Sequence, residues 1–384
     1  MFDTSLNFAK IRVVGVGGAG NNAINRMIDS EITSADFYAV NTDKQPLILC
    51  KAENKIQIGS EITKGLGAGS NPELGELAAE ESRRELEEMC EGVNLLFIAA
   101  GMGGGTGTGA APVIAKIAKE KGCLTVAVVT KPFSFEGKRR HENAIMGINN
   151  LKKYVDTIIV IPNDKLMQTL PPTTTMLKAF EFADDHLKQG VCAIADLIAT
   201  PSLMNLDFAD VKTILQNQGM AHMGRGRATG ENRVIEAVRQ AVSGPLLETT
   251  IEGARALIIN VAGGEDLTIG QVYEAAQLVQ SVVDESANII FGANIDYMRN
   301  NEVEITVIAT GFNSAEEPPK KPDDTGNKQA FEMLMKNHVK PQEDPVKAEP
   351  VKFEQEDFFS STYGESEDDA DVPSFVKRLF GKKN

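Results

Sequence analysis

The sequence predicts an α/β protein in which a parallel sheet flanked by helices is followed by a long central helix and a smaller α+β unit. Three observations carry this. Short apolar runs rich in β-branched residues recur at Ile11 to Val16, Phe37 to Val40, Leu95 to Ala100, Leu124 to Val129 and Thr157 to Ile161. They carry few charges, as strands covered on both faces do. Between them lie helical segments such as Glu76 to Cys90, where Leu77, Leu86 and Met89 recur at amphipathic spacing among Glu and Arg.

The first domain is expected over residues 11–174. Leu177, Phe180, Ala183, Leu187, Val191, Ile194 and Ile198 then follow at three- and four-residue steps, predicting a connecting helix within 175–204. The α+β domain is expected over 205–312, with strands at Ala256 to Val261, Ala287 to Phe291 and Val303 to Ala309 and a helix at Ile269 to Ser281. Composition changes sharply at 313–370, where 15 acidic residues face seven lysines and six prolines. Such a stretch cannot build a core and is expected to be a disordered linker. In the tail, 371–384, Val372, Phe375, Val376, Leu379 and Phe380 fall on one helical face beside Lys377, Arg378, Lys382 and Lys383, the pattern of a docking peptide.

Composition narrows the function. With 384 residues and 42% hydrophobic side chains the chain can bury a sizeable core. The net charge of -15 repels nucleic acids and anionic membrane surfaces, so no nucleic-acid partner is expected. The four cysteines form no C-x-x-C pair and read as small core residues in a reducing compartment. No apolar run approaches the ~18 residues of a membrane span, and Met1 to Lys10 shows no basic region followed by an apolar stretch. The expected location is the cytoplasm, without direct membrane insertion.

Two Gly-rich turns carry the chemistry. Gly15-Val16-Gly17-Gly18-Ala19-Gly20-Asn21-Asn22 follows a strand and opens a helix, so backbone N–H groups and the helix dipole can hold phosphate. It also satisfies G-x-G-x-x-G, with Asp43 at about the distance of a ribose-binding acid, which keeps an NAD-dependent oxidoreductase open. The second turn, Gly101 to Gly109, again follows a strand and leads into a helix at Ala110 to Lys119 with Pro112 in its first turn. Its glycines permit close approach to ligand oxygens, and Thr106 and Thr108 offer hydroxyl and N–H groups. A dinucleotide fold needs only one such turn, and no stretch matches the Walker pattern G-x-x-x-x-G-K-[ST]. For Asp207 and Asp210, composition alone favours helix capping and a first-turn acid.

Gly103-Gly104-Gly105-Thr106-Gly107-Thr108-Gly109 resembles the signature of the tubulin/FtsZ GTPase family. The similarity extends to Asn41-Thr42-Asp43, Gly65 to Gly69, Pro132 to Gly137, Pro162-Asn163-Asp164 and Asn205 to Asp210, and covers about Ile11 to Phe312. It implies a Rossmann-like parallel-sheet GTPase domain that binds GTP or GDP, with Mg²⁺ held mainly through the phosphates and no dedicated protein metal site. Gly17, Gly18, Ala19, Gly20 and Asn22, with Gly101, Gly104, Gly105, Thr106, Gly107 and Thr108, would wrap the phosphates, and Ala68 and Gly69 would close over the γ-phosphate. Asn41, Glu136, Arg140 and Asn163 would line the nucleotide, while Phe180 stacks on the base and Asp184 reads guanine. Asp184-Asp185 joins two acids where related chains often pair one Asp with one Asn, which leaves open the choice between them. Asn205, Asp207 and Asp210 would act on the nucleotide of the next subunit, orienting the attacking water. The resemblance further implies head-to-tail filaments of the bacterial division ring at mid-cell, with Asp371 to Phe380 binding membrane-tethering and regulatory division proteins. A non-hydrolysing tubulin-like scaffold is the other alternative.

Overall fold

In the computed structural model, residues 9–30, 32, 35–199, 207–243, 251–284, 286–295 and 301–312 are described. The linker and tail expected at 313–384 lie outside them. The elements run β1 (Ile11–Val16), α1 (Gly17–Asp29), β2 (Asp36–Asn41), α2 (Lys44–Leu49), β3 (Asn54–Gln57), α3 (Ser60–Thr63), α4 (Pro72–Glu81), α5 (Arg83–Cys90), β4 (Leu95–Gly101), α6 (Thr106–Glu120), β5 (Leu124–Lys131) and α7 (Lys138–Leu151). They continue with β6 (Thr157–Pro162), α8 (Asn163–Met167), α9 (Met176–Ala199), α10 (Phe208–Leu215), β7 (Gly219–Thr229), α11 (Arg233–Ser243), β8 (Ala256–Gly263), α12 (Ile269–Gln280), β9 (Asn288–Ile295) and β10 (Glu302–Thr310).

The sheet order is β3-β2-β1-β4-β5-β6-β7-β10-β8-β9, and every neighbouring pair from β3 to β7 is parallel. The β-branched runs sit where both faces are covered: β1 is buried throughout, and β4 is buried up to Ala100. On one face Ile24 and Met27 of α1 pack with Leu187, Val191 and Ile194 of α9; on the other, Leu86 of α5, Ile114 and Ile117 of α6 and Ile148 of α7 form a second core. A third core joins α11 and α12 to β8 and β10.

The structure adds to or corrects the pattern-based reading in five places. The α+β unit continues the first sheet, a junction the pattern leaves unspecified: the start of β7 pairs with β6 at Gly219↔Thr157, Met220↔Ile158 and Ala221↔Ile159 while the rest pairs with β10. β7 carries no strand pattern since its glycines have low β-propensity; they are there because α11 lies on the strand. A Cβ on Gly226 would stand 1.8 Å from the Ala237 carbonyl oxygen, and one on Gly224 would stand 1.7 Å from that of Ala241. β3 is a four-residue polar edge strand and leaves no apolar signal. The segment Glu76 to Cys90 breaks at Ser82, whose hydroxyl accepts the Gly59 N–H. Finally, α6 begins at Thr106, so Pro112 lies inside the helix and not in its first turn.

Along α9 the apolar stripe packs from Ala179 onward, whereas Leu177 and Phe180 are exposed because the first turns overhang the core. The contact of α11 with β7 leaves no room for a methyl group. Gly226→Ala is expected to cost about 2 kcal/mol or more by overpacking, lowering the thermal unfolding midpoint by roughly 5 °C; an unchanged midpoint would contradict this packing.

Candidate active site

The order β3-β2-β1-β4-β5-β6 reverses direction between β1 and β4, the point at which open parallel sheets leave a crevice beyond their carboxyl ends. Both Gly-rich turns open there, side by side, because β1 and β4 pair through to Val16↔Ala100. The other motifs follow the same edge: Asn41 ends β2, Pro132 to Gly137 follows β5, and Asn163 follows β6. One sheet edge therefore gathers motifs spread over more than 140 residues of sequence.

The two turns interlock backbone to backbone. Gly17 adopts φ +73°, and a Cβ there would stand 3.0 Å from the Gly107 nitrogen. A Cβ on Gly101 would meet the Ala19 methyl at 2.7 Å, and one on Gly105 would meet the Ala68 methyl at 2.7 Å. Gly18, Gly69 and Gly104 are different, since a Cβ on any of them would point into open space. Glycine thus serves contact between the turns at some positions and an open floor at others.

α1 and α6 both start without a capping side chain and without an acid in the first turn. The first N–H groups of a helix have no intrahelical partner, and their partial positive charge suits an anion. Two such ends converge here without a lysine among the motif residues. The threonine hydroxyls are engaged within the turn: Thr106 pairs with the Thr42 hydroxyl at 2.6 Å, and Thr108 accepts the Gly103 N–H at 2.9 Å. Among the side-chain candidates, Asn41 is buried and committed, donating to Asn21 Oδ1 at 2.8 Å and accepting the Asp43 N–H at 3.2 Å. Asn21 in turn donates to the Gly15 carbonyl at 2.8 Å. This chain braces the first turn, and Asn22 is the neighbour left exposed. Asp43 caps α2 by accepting the Gln45 N–H at 2.9 Å, so the acid a dinucleotide site would need is occupied as a helix cap.

At the other end of the crevice Phe133, Phe135 and Phe180 form an aromatic cluster, with Phe180 edge-on to Phe133 at 5.3 Å and 38% exposed. Glu136 accepts the Phe133 N–H at 2.9 Å and pairs with Arg140. Asn163 is 5% exposed, and its buried Oδ1 has no partner, an acceptor that a ligand donor would satisfy. Asp184 stands one turn after Phe180 on α9. It is 8% exposed, with Arg26 Nε of α1 at 3.6 Å from Oδ2, whereas Asp185 faces Lys188 at 2.7 Å and Gln189. The two adjacent acids therefore have different settings, and Asp184 is the one beside α1.

Asp207 and Asp210 lie elsewhere. α9 starts on the carboxyl-edge side and runs 24 residues, about 36 Å. The chain then passes through α10, whose Leu215 carbonyl accepts the Thr157 hydroxyl at the amino-terminal end of β6. Asp207 caps α10 by accepting the Asp210 N–H at 2.8 Å; both acids are exposed and are not brought to the cradle of their own chain. Asn205 lies outside the described residues. Sequence reasoning missed Asn21, Thr42 and Arg26, whose roles depend on partners 20 or more residues away or on another helix.

Burial raises the Asp184 carboxyl from its ordinary 3.8 to about 6, with Arg26 opposing the shift. A folded-state value above the unfolded one means that stability present below about pH 4 is lost as pH rises through about 6, by at most ~3 kcal/mol. Asp184→Asn is expected to stabilise the nucleotide-free protein above pH 7 by about 1–2 kcal/mol. The gap should close below pH 4 in urea titrations; a gap independent of pH would contradict the assignment.

A model of the Tubulin/FtsZ family, GTPase domain, matches residues 10–171, and one of the FtsZ family, C-terminal domain, matches residues 219–313. The FtsZ dimer of M. jannaschii is 46% identical with TM-score 0.78, covering 83% of this chain and 94% of that one. CetZ2 from Haloferax volcanii, solved as a GTPγS-bound protofilament, is 22% identical with TM-score 0.69 over 85% and 98% of the two chains, a likeness of fold. Two family models in chain order, close identity over nearly the full length of a solved FtsZ and paired Gly-rich turns at one sheet edge agree, and the chain belongs to the tubulin/FtsZ family of GTPases.

Proposed function

We propose that this chain binds and hydrolyses GTP and polymerises head to tail into filaments of the bacterial division ring. Each active site would join the cradle of one subunit to the Asn205–Asp210 loop of the next. The observation carrying this reading is the separation of the two halves: an anion-binding cradle at the carboxyl edge of the sheet, and two exposed acids beyond the opposite edge. A subunit arranged in this way completes its chemistry only against another copy. Such a contact is heterologous and propagates into a filament. The GTPγS-bound protofilament of CetZ2 supports the same assembly.

In this reading the backbone at Gly17 to Gly20 and Gly104 to Thr108 receives the phosphates, and Gly18, Gly69 and Gly104 leave the floor clear. Phe180 offers its exposed ring to the base, Asp184 accepts from the N1–H and amino group of guanine, and Asn163 Oδ1 accepts a ribose hydroxyl. Asp207 and Asp210 of the adjacent subunit orient the attacking water. A Mg²⁺ would be carried by the phosphate oxygens. Bound there, the ion would offset charge on the transferring phosphoryl group. Among the described residues no helix is long and apolar enough to cross a membrane, and the tail Asp371 to Phe380 would dock on membrane-tethering and regulatory partners at mid-cell in the cytoplasm.

Asp210→Asn is expected to keep GTP affinity within about twofold while lowering turnover about a hundredfold or more. Wild-type phosphate release per subunit should rise with protein concentration. Activity per subunit that stays constant across a dilution series would contradict a shared site.

A further inference from the structure

The contact between α1 and α9 goes beyond packing. Arg26, in the last turn of α1, directs Nε toward Asp184 Oδ2 and a terminal nitrogen toward Glu181 Oε1, each at 3.6 Å. These separations are ion-pair distances at the outer limit of a hydrogen bond, so the contact is chiefly electrostatic. Arg26 is thus spent on charge. α1 begins at the first phosphate turn, and α9 carries Phe180 and Asp184. The guanidinium therefore ties the element under the phosphates to the element under the base.

We propose that Arg26 is the positioning residue for base selection: it keeps the buried Asp184 ionised and oriented, so that the site accepts guanine at neutral pH. The proposal rests on Asp184 as the guanine reader. Guanine presents two donors, N1–H and the 2-amino group, and a carboxylate accepts both. A neutral carboxyl accepts one and sets its own O–H against the other. Burial favours the neutral form; Arg26 from α1 opposes it and Glu181 from α9 adds to it. Asp185 does not share the task, since Lys188 and Gln189 hold it. With Arg26 present the carboxyl titrates at about 6, leaving it mostly ionised at neutral pH. Without that charge, titration moves upward by about one pH unit or more.

The test measures affinity for a fluorescent GDP analogue from about pH 5.5 to about pH 8.5 in the wild type, Arg26→Gln, Arg26→Lys and Asp184→Asn. Asp184→Asn supplies the profile of phosphate titration alone, against which the others are divided. Wild-type affinity should hold above pH 7 and fall below about 6, tenfold per pH unit at the limit. Arg26→Gln should lose about twofold or more at pH 7 and recover most of it at the alkaline end, and Arg26→Lys should restore the wild-type profile. A merely structural role would lower affinity equally at every pH; that result, or an Arg26→Gln profile superimposable on the wild type, overturns the proposal. If Asp184→Asn keeps the wild-type preference for GDP over ADP, the base is read elsewhere and the underlying reading fails with it. If that preference is lost while Arg26→Gln titrates as wild type, only the role of Arg26 falls.

Discussion

Beyond the paired ends of β1 and β4, two helices begin without caps, and their backbones touch through glycine. The rest of the site depends on this contact. Side chains on Gly17 or Gly101 would drive the turns apart, and the two N-termini would no longer converge. A helix N-terminus is worth roughly 0.3–1 kcal/mol to an exposed anion, more where it is partly buried. Two ends aimed at one crevice supply positive potential without a lysine. The cradle is then shaped almost wholly by main chain, and Asn21, Asn41 and Thr42 fix that main chain from behind.

From that contact the layout of the subunit follows. Parallel strands place every connecting loop of one kind at one edge, so the residues proposed for phosphate, ribose and base gather there without being near in sequence. α9 then carries the chain away, and the return into β7 begins at the opposite end of β6. The two acids after α9 are thereby separated from the cradle by the body of the sheet. In the proposed function the same geometry would divide the chemistry between the two poles of the subunit and so tie turnover to assembly.

Much of this was legible from residue patterns. The five N-terminal β-branched runs mark strands because burial on both faces demands apolar residues, and the two Gly-rich turns mark close backbone approach, as between Gly17 and Gly107. β7 was not legible, since its glycines answer to α11 and not to strand propensity. Nor was the division of labour among polar side chains. Asn41 and Asn22 look equally suited to a ligand, yet Asn41 is consumed by Asn21 and the Asp43 N–H. Asp184 and Asp185 are indistinguishable as letters; Arg26, more than 150 residues earlier, separates them. Such distinctions arise from tertiary partners, which periodicity does not encode.

The most direct test of a site split between copies is complementation. Gly104→Val would fill the open floor of the cradle, and Asp210→Asn would disable the opposite pole. Each variant should hydrolyse GTP poorly alone, and phosphate release should return when the two are mixed, because the intact cradle of one meets the intact acids of the other. A mixture no more active than its components would contradict the account.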